Sequence, residues 1–281
     1  SLMIIGFAAL VPTLTYEIIA RKKGSSLWNR VKGVYRELIF EIRANNEIVR
    51  RQDYTAGKIP VILLYGFFSS RRSLTVMERI LQARGFQVMS FNLGGLFGVF
   101  FTKGIRETAR FIETKIERQI KRHGFEKVHI VAHSKGGLVA LWWLLRLDGW
   151  KYCDRLITMG TPFKGSAFTY FALMTPLGFF WRDVWQMRPG SEFLRELHSL
   201  PIPENIRIFC LYSERDGIAH GRAGLFEPTS PKANVVQIPM NHLGHFEFLY
   251  RRDVGDVLTK LLRYEDALPE QPSDGKRSLS Q

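Results

Sequence analysis

From residue 59 to residue 264 the chain alternates short apolar runs with longer segments of helical periodicity, and this alternation restricts the fold more than any other feature. "IPVILLYGF" ends at Gly66 and reads as a buried strand. "SLTVMERILQARG", residues 73–85, has helical spacing and a glycine stop. "FQVMSFNL" reads as the next strand, and "GIRETARFIETKIERQIKRHG" as a long amphipathic helix ending at Gly124. "KVHIVA" is a strand followed by the apolar helix "KGGLVALWWLLRL". "DRLITMGTP", "IRIFCLYSE" and "NVVQIPM" are further strands, and "RRDVGDVLTKLLRYE" is a closing helix. Strands alternating with helices of this length predict an α/β fold, a mostly parallel sheet flanked by helices.

Three regions are expected. Residues 1–52 form an apolar and basic N-terminal segment, residues 53–268 the α/β domain, and residues 269–281 a polar, disordered tail. Within the first, residues 2–20 are apolar and about long enough to cross a bilayer as a helix. Pro12, Thr13, Thr15 and Glu17 weaken that reading. Residues 21–51 carry nine Lys/Arg against three Glu, so the pair of segments suggests a membrane anchor with its basic side in the cytoplasm. The competing expectation is a helix packed on the domain.

A formal charge of +14 suggests an acidic partner, either an anionic membrane surface or nucleic acid. No zinc-finger spacing or RNP-like aromatic motif supports nucleic acid. The only two cysteines, Cys153 and Cys210, imply no disulfide framework and are expected to be buried. No Cys/His cluster suggests a metal, and no cofactor is expected.

The junction "VAHSKGG" carries the chemistry. A strand runs into Ser134 and a helix leaves it. In a parallel sheet, sites collect at the carboxyl ends of strands. Ala132, Gly136 and Gly137 are the small residues that a sharp strand-turn-helix bend requires. Such a bend lifts the serine oxygen above the sheet, near the positive end of a helix. A plain helix N-cap serine is the alternative. A serine nucleophile needs a base, and the base needs an orienting carboxylate. Asp216 follows one strand and is preferred to Glu214 because Gly217 gives it room. His242 and His245 both follow the next strand. His123, His129, His133, His198 and His220 read as ordinary surface or sheet residues.

These stretches resemble the α/β-hydrolase superfamily, and most of all its bacterial lipase/esterase branch. "VHIVAHSKGG" resembles that family's strand and elbow, "LYSERDGIA" its acid loop, and "GHFEFLYRRDV" its histidine segment. "VILLYGFFSS" resembles the strand that opens the oxyanion loop. The resemblance implies an α/β-hydrolase fold, with Ser134 as nucleophile, Asp216 as acid and His245 as base. A different hydrolase pattern would make His242 the base. The resemblance places the oxyanion hole at the backbone N–H groups of Phe67 and Lys135. Two departures stand out: Tyr65 replaces the usual histidine, and Lys135 puts a cation at the elbow, expected to lie at the mouth of the site and to favour an anionic substrate group.

Between Gly165 and Leu200 the alternation stops, and "GSAFTYFALMTPLGFFWRDVWQM" is rich in aromatic and aliphatic residues. An apolar insert there, at about residues 165–200, reads as a cap lining an acyl pocket, or alternatively as an ordinary core helix pair. Phe68, Phe163, Phe179 and Phe180 are the expected substrate contacts. The expected activity is hydrolysis of lipid-like or small carboxylic esters through an acyl-serine. The rivals are an acyltransferase of the same fold and a non-catalytic, membrane-associated binding module.

Overall fold

The computed structural model describes Tyr54 and residues 58–66, 71–91, 103–174, 181–228 and 234–263. The N-terminal segment, the tail, and the positions Phe67, Phe68, Phe179 and Phe180 lie outside the described residues. No helix among the described residues is long and apolar enough to cross a membrane.

Six strands form one sheet: β1 (Val61–Leu64), β2 (Val88–Ser90), β3 (Val128–His133), β4 (Cys153–Met159), β5 (Arg207–Tyr212) and β6 (Asn234–Pro239). Their order is β2-β1-β3-β4-β5-β6, and every pairing is parallel. Every residue of β1 and of β3 is buried, as the unbroken apolar runs require of strands covered on both faces. Strand β2 is shorter than the apolar run that predicts it: only three residues pair with β1.

Seven α-helices accompany the described strands: α1 (Thr75–Ala83), α2 (Ile105–His123), α3 (Lys135–Arg146), α4 (Phe168–Leu173), α5 (Arg182–Gln186), α6 (Glu192–Ser199) and α7 (Arg252–Arg263). Helix α1 starts two residues later than its sequence pattern, because a single 3₁₀ turn, Arg71–Leu74, precedes it. Helix α2 buries Ile105, Thr108, Ala109, Ile112 and Ile116, one stripe at helical spacing. It ends at Gly124, whose φ of 69° suits glycine and whose N–H reaches the carbonyl of Ile120 at 2.8 Å. Helix α3 is buried from Lys135 through Leu144, so it is a core helix and not a surface one.

Right-handed crossovers place α1 and α3 on opposite faces, because the chain moves outward from β1 to β2 in one direction and from β3 to β4 in the other. Helix α7 packs on α1, and α2 packs on α3. The direction of winding reverses between β1 and β3, and the crevice at their carboxyl ends is where such sheets carry sites. Tyr65 and Gly66 leave β1 there, and Ser134 leaves β3.

The main core surrounds the sheet. A second, smaller cluster of Phe168, Ala172 and Val184 lies in the insert, with Leu173, Trp181 and Ile218 packed against it.

Candidate active site

The bend after β3 is sharp. Ser134 has φ 56° and ψ −130°, a backbone region that side-chain-bearing residues avoid and that costs of order 1–3 kcal/mol. Three glycines make room for it. A Cβ on Gly66 would stand 2.5 Å from the Ser134 Cβ, and one on Gly136 2.7 Å from the carbonyl oxygen of Tyr65. A Cβ on Gly137 would meet Thr161 Oγ1 at 2.0 Å. That hydroxyl donates to the carbonyl of Ser134 at 3.0 Å, and the Ser134 N–H donates to Met159 at 2.9 Å. The elbow is thus bolted to the end of β4.

Ser134 Oγ makes no helix-capping bond. It lies 2.9 Å from Nε2 of His245, and Nδ1 of His245 lies 2.8 Å and 3.0 Å from the two carboxyl oxygens of Asp216. All three side chains are buried. Burial pushes the Asp216 carboxyl up, but the His245 charge, its hydrogen bond and the N–H groups of Ala219 and Ile218 outweigh that and hold it below the ordinary carboxylate range. Those N–H groups donate to Oδ1 at 2.7 Å and 2.8 Å. An ionised Asp216 only accepts, so Nδ1 of His245 donates to it. The Nε2 lone pair then faces the Ser134 hydroxyl, the arrangement that lets an imidazole take a serine proton.

The loops that carry Asp216 and His245 are laced together. Ser213 Oγ donates to the carbonyl of Leu243 at 2.6 Å, and the Met240 N–H to the carbonyl of Tyr212 at 2.7 Å. The Gly244 N–H donates to Glu247 at 2.6 Å, closing the turn that presents His245. Gly160, at the end of β4, has φ 55°. A Cβ there would come within 2.8 Å of Asp216 Oδ2 and 3.3 Å of His245 Nδ1.

The alternatives separate on position. His242 is exposed and pairs with Asp253 at 2.8 Å, away from Ser134. Glu214 is exposed, whereas Asp216 faces inward. Phe163, expected to touch substrate, is wholly buried, with its ring 4.9 Å from that of Phe226.

Lys135 corrects an expectation. Its cation is not at the mouth of the site. The side chain is wholly buried, with Nζ 2.6 Å from Oδ2 of Asp183 on α5. Burial lowers the Lys135 pKa to about 8 and raises that of Asp183, each offset in part by the other's charge. An ionisable residue opening an all-apolar helix demands a buried partner, and the lone carboxylate of "FFWRDVWQM" was the signal for it.

His133 is a sheet residue, the last of β3, with a contact to the site. It is buried, and its Nε2–H donates to the carbonyl of His245 at 2.9 Å, the ring centroids lying 4.7 Å apart. Burial, followed by the neighbouring His245 charge, lowers its pKa to about 3, so it stays neutral beside His245. Its place at the last position of a wholly buried strand, one residue before the bend, was the available signal. Cys153 and Cys210 are free and buried, and burial raises both thiols, Cys210 to about 12. Among the described residues no group of three His, Cys, Asp or Glu side chains stands together as a metal site.

The parallel sheet with a serine bend at its switch point is the architecture of a hydrolase of α/β type. Residues 59–184 match the family model described as alpha/beta hydrolase fold. Together with the six-stranded parallel sheet, that match shows the α/β-hydrolase fold. Among solved structures it is similar to a Bacillus licheniformis lipase in its mature form, at 18% identity and TM-score 0.61, covering 76% of this chain and 96% of that one. It is similar also to lipase B of Aspergillus fumigatus, at 16% identity and TM-score 0.63, covering 78% and 56%. A third is the monoacylglycerol lipase of Paleococcus ferrophilus, at 14% identity and TM-score 0.55, covering 73% and 95%. These likenesses establish the fold. A search of curated protein sequences returns no match.

Proposed function

We propose that this hydrolase cleaves carboxylic esters of lipid-like alcohols or acids through an acyl-serine on Ser134. The observation that carries the reading is the unbroken chain from Ser134 Oγ to His245 at 2.9 Å and from His245 to Asp216 at 2.8 Å. His245 takes the serine proton as Oγ attacks the ester carbonyl, and returns it to the leaving alkoxide. Asp216 holds the imidazole in the required tautomer and stabilises the imidazolium. The backbone N–H of Lys135, at the first turn of α3, is placed by the family pattern to receive the developing oxyanion, together with that of Phe67. Water, activated by the same histidine, then releases the acid.

Supporting the lipid-like substrate are the apolar cluster of the insert and the names of the structures of like fold, which are lipases. Helices α4 and α5 with Ile218 are the proposed cap, and their apolar side chains the proposed wall for an acyl chain. Residues 53–268 are the proposed catalytic unit.

The test is a panel of nitrophenyl esters from acetyl to palmitoyl, with and without a competing alcohol. Release of free acid, rising with acyl length up to a maximum, is the expected result. A product dominated by the new ester would assign the protein to acyl transfer. No turnover on any ester by folded protein would refute the reading.

A further inference from the structure

A fully buried ion pair is an uncommon way to hold an insert on a domain. Two apolar side chains of similar volume hold equally well or better, whereas removing one charge leaves the other stranded. What an ion pair adds is register: a shift of one side past the other unpairs both charges at once, which apolar packing does not penalise as sharply. Lys135 and Asp183 join two particular places. Lys135 is the residue after Ser134, so its backbone belongs to the elbow. Asp183 lies on α5, next to Val184, one of the three buried members of the insert's apolar cluster. Asp183 is itself fixed, since its Oδ1 accepts from the Val184 N–H at 3.1 Å.

Other polar contacts of the insert reach elsewhere. Gln186 Oε1 accepts from the Ile105 N–H at 2.6 Å, and Arg182 pairs with Glu107 at 2.6 Å, so the outer side of α5 is tied to the start of α2. Ser166 Oγ donates to the carbonyl of Ile218 at 2.7 Å, tying the start of the insert to the acid loop. The buried Lys135–Asp183 pair is a polar side-chain bond that runs from α5 to the elbow.

We propose that this ion pair sets the register of the insert's apolar cluster against Ser134, which makes Asp183 a positioning residue for acyl-chain selection. The proposal rests on the acyl-serine reading above. Its wall is the cluster of Phe168, Ala172 and Val184, and the ligand that such a wall selects is a medium or long acyl chain. Short acyl groups do not reach it, so they are turned over whatever its register.

The test compares turnover of decanoyl and butyryl esters, as a ratio of kcat/KM, in the full chain and two variants. Asp183→Asn keeps the shape and removes the charge. Lys135→Met with Asp183→Leu replaces the pair by apolar side chains of similar size and keeps the variant foldable if the single change does not. The ratio is read within one protein, so a general loss of turnover cancels. In whichever variant folds, it should fall about tenfold or more, with the loss in KM for the long ester. A ratio equal to the parent's in a folded variant overturns the register role and leaves the acyl-serine reading standing. A folded parent that turns over neither ester overturns both.

Discussion

The carboxyl edge of the sheet and the insert of residues 165–200 are held by different means. At the sheet edge, backbone bonds to the strands act beside the hydroxyls of Thr161 and Ser213. Ser134, Gly160 and Met240 are each fixed by an N–H to a strand carbonyl, and glycines at 66, 136, 137 and 160 admit contacts that a Cβ would block. The insert is held by side chains: Lys135 to Asp183, Gln186 to Ile105, Ser166 to Ile218 and Arg182 to Glu107. Its apolar cluster is small beside the main core. Chemistry needs placement to fractions of an ångström, and backbone geometry is the stiffest source of it. Selection among substrates tolerates adjustment, and side-chain ties can be altered one at a time without rebuilding the sheet.

If this contrast holds, changes at the sheet edge should be severe and specific to turnover. Ser134→Ala removes the attacking oxygen and should lower kcat on the order of 10⁶-fold, read on a short nitrophenyl ester. Asp216→Asn leaves the geometry and destroys the tautomer preference, and should cost on the order of 10⁴-fold. Gly160→Ala is the sharper test of backbone control. It touches no reacting atom, yet its Cβ would press on Asp216 and its φ of 55° would be strained. A loss of about a hundredfold in kcat/KM, with far-ultraviolet circular dichroism unchanged, is expected. A fully active Gly160→Ala would break the claim that backbone sets the site.

The sheet edge was legible in the sequence because its requirements are local. A bend between a strand and a helix demands small residues in fixed places, and "VAHSKGG" displays them. Asp216 could be told from Glu214 by Gly217, but the choice of His245 over His242 rested on the family pattern. What was not legible depends on long-range packing. The Lys135–Asp183 pair joins residues 48 apart, so the sequence shows two ionisable residues among apolar ones but not that they meet. The His133–His245 bond joins residues 112 apart. The packing of the Phe163 ring on that of Phe226, 63 residues further along, is another such long-range contact.

Smaller effects sharpen the same comparison. His133 should act through pH. Its pKa is about 3 in the folded protein against 6.5 for the free side chain, so the unfolded chain binds the extra proton between these values. Stability is therefore full above about pH 6.5 and falls as the pH drops towards 3, by up to about 1.4 kcal/mol per pH unit from this group. In urea titrations from pH 7 to pH 4, His133→Gln should lose stability less steeply than the parent. Equal slopes would remove His133 from the account. Smallest of all should be His242→Ala, which gives up an exposed pair worth at most about 1 kcal/mol and should leave turnover within a few-fold of the parent.

The central claim is that Ser134 is activated by His245, and a fluorophosphonate probe tests it directly, because such probes report an activated serine regardless of which ester the protein prefers. Probe-treated parent, His245→Ala and His242→Ala, each confirmed folded by circular dichroism, would be digested and the adduct mapped by mass spectrometry. The account predicts a single adduct on the peptide carrying Ser134 in the parent, the same adduct in His242→Ala, and none in His245→Ala. An unreactive parent, an adduct on another residue, or undiminished labelling in His245→Ala would contradict it.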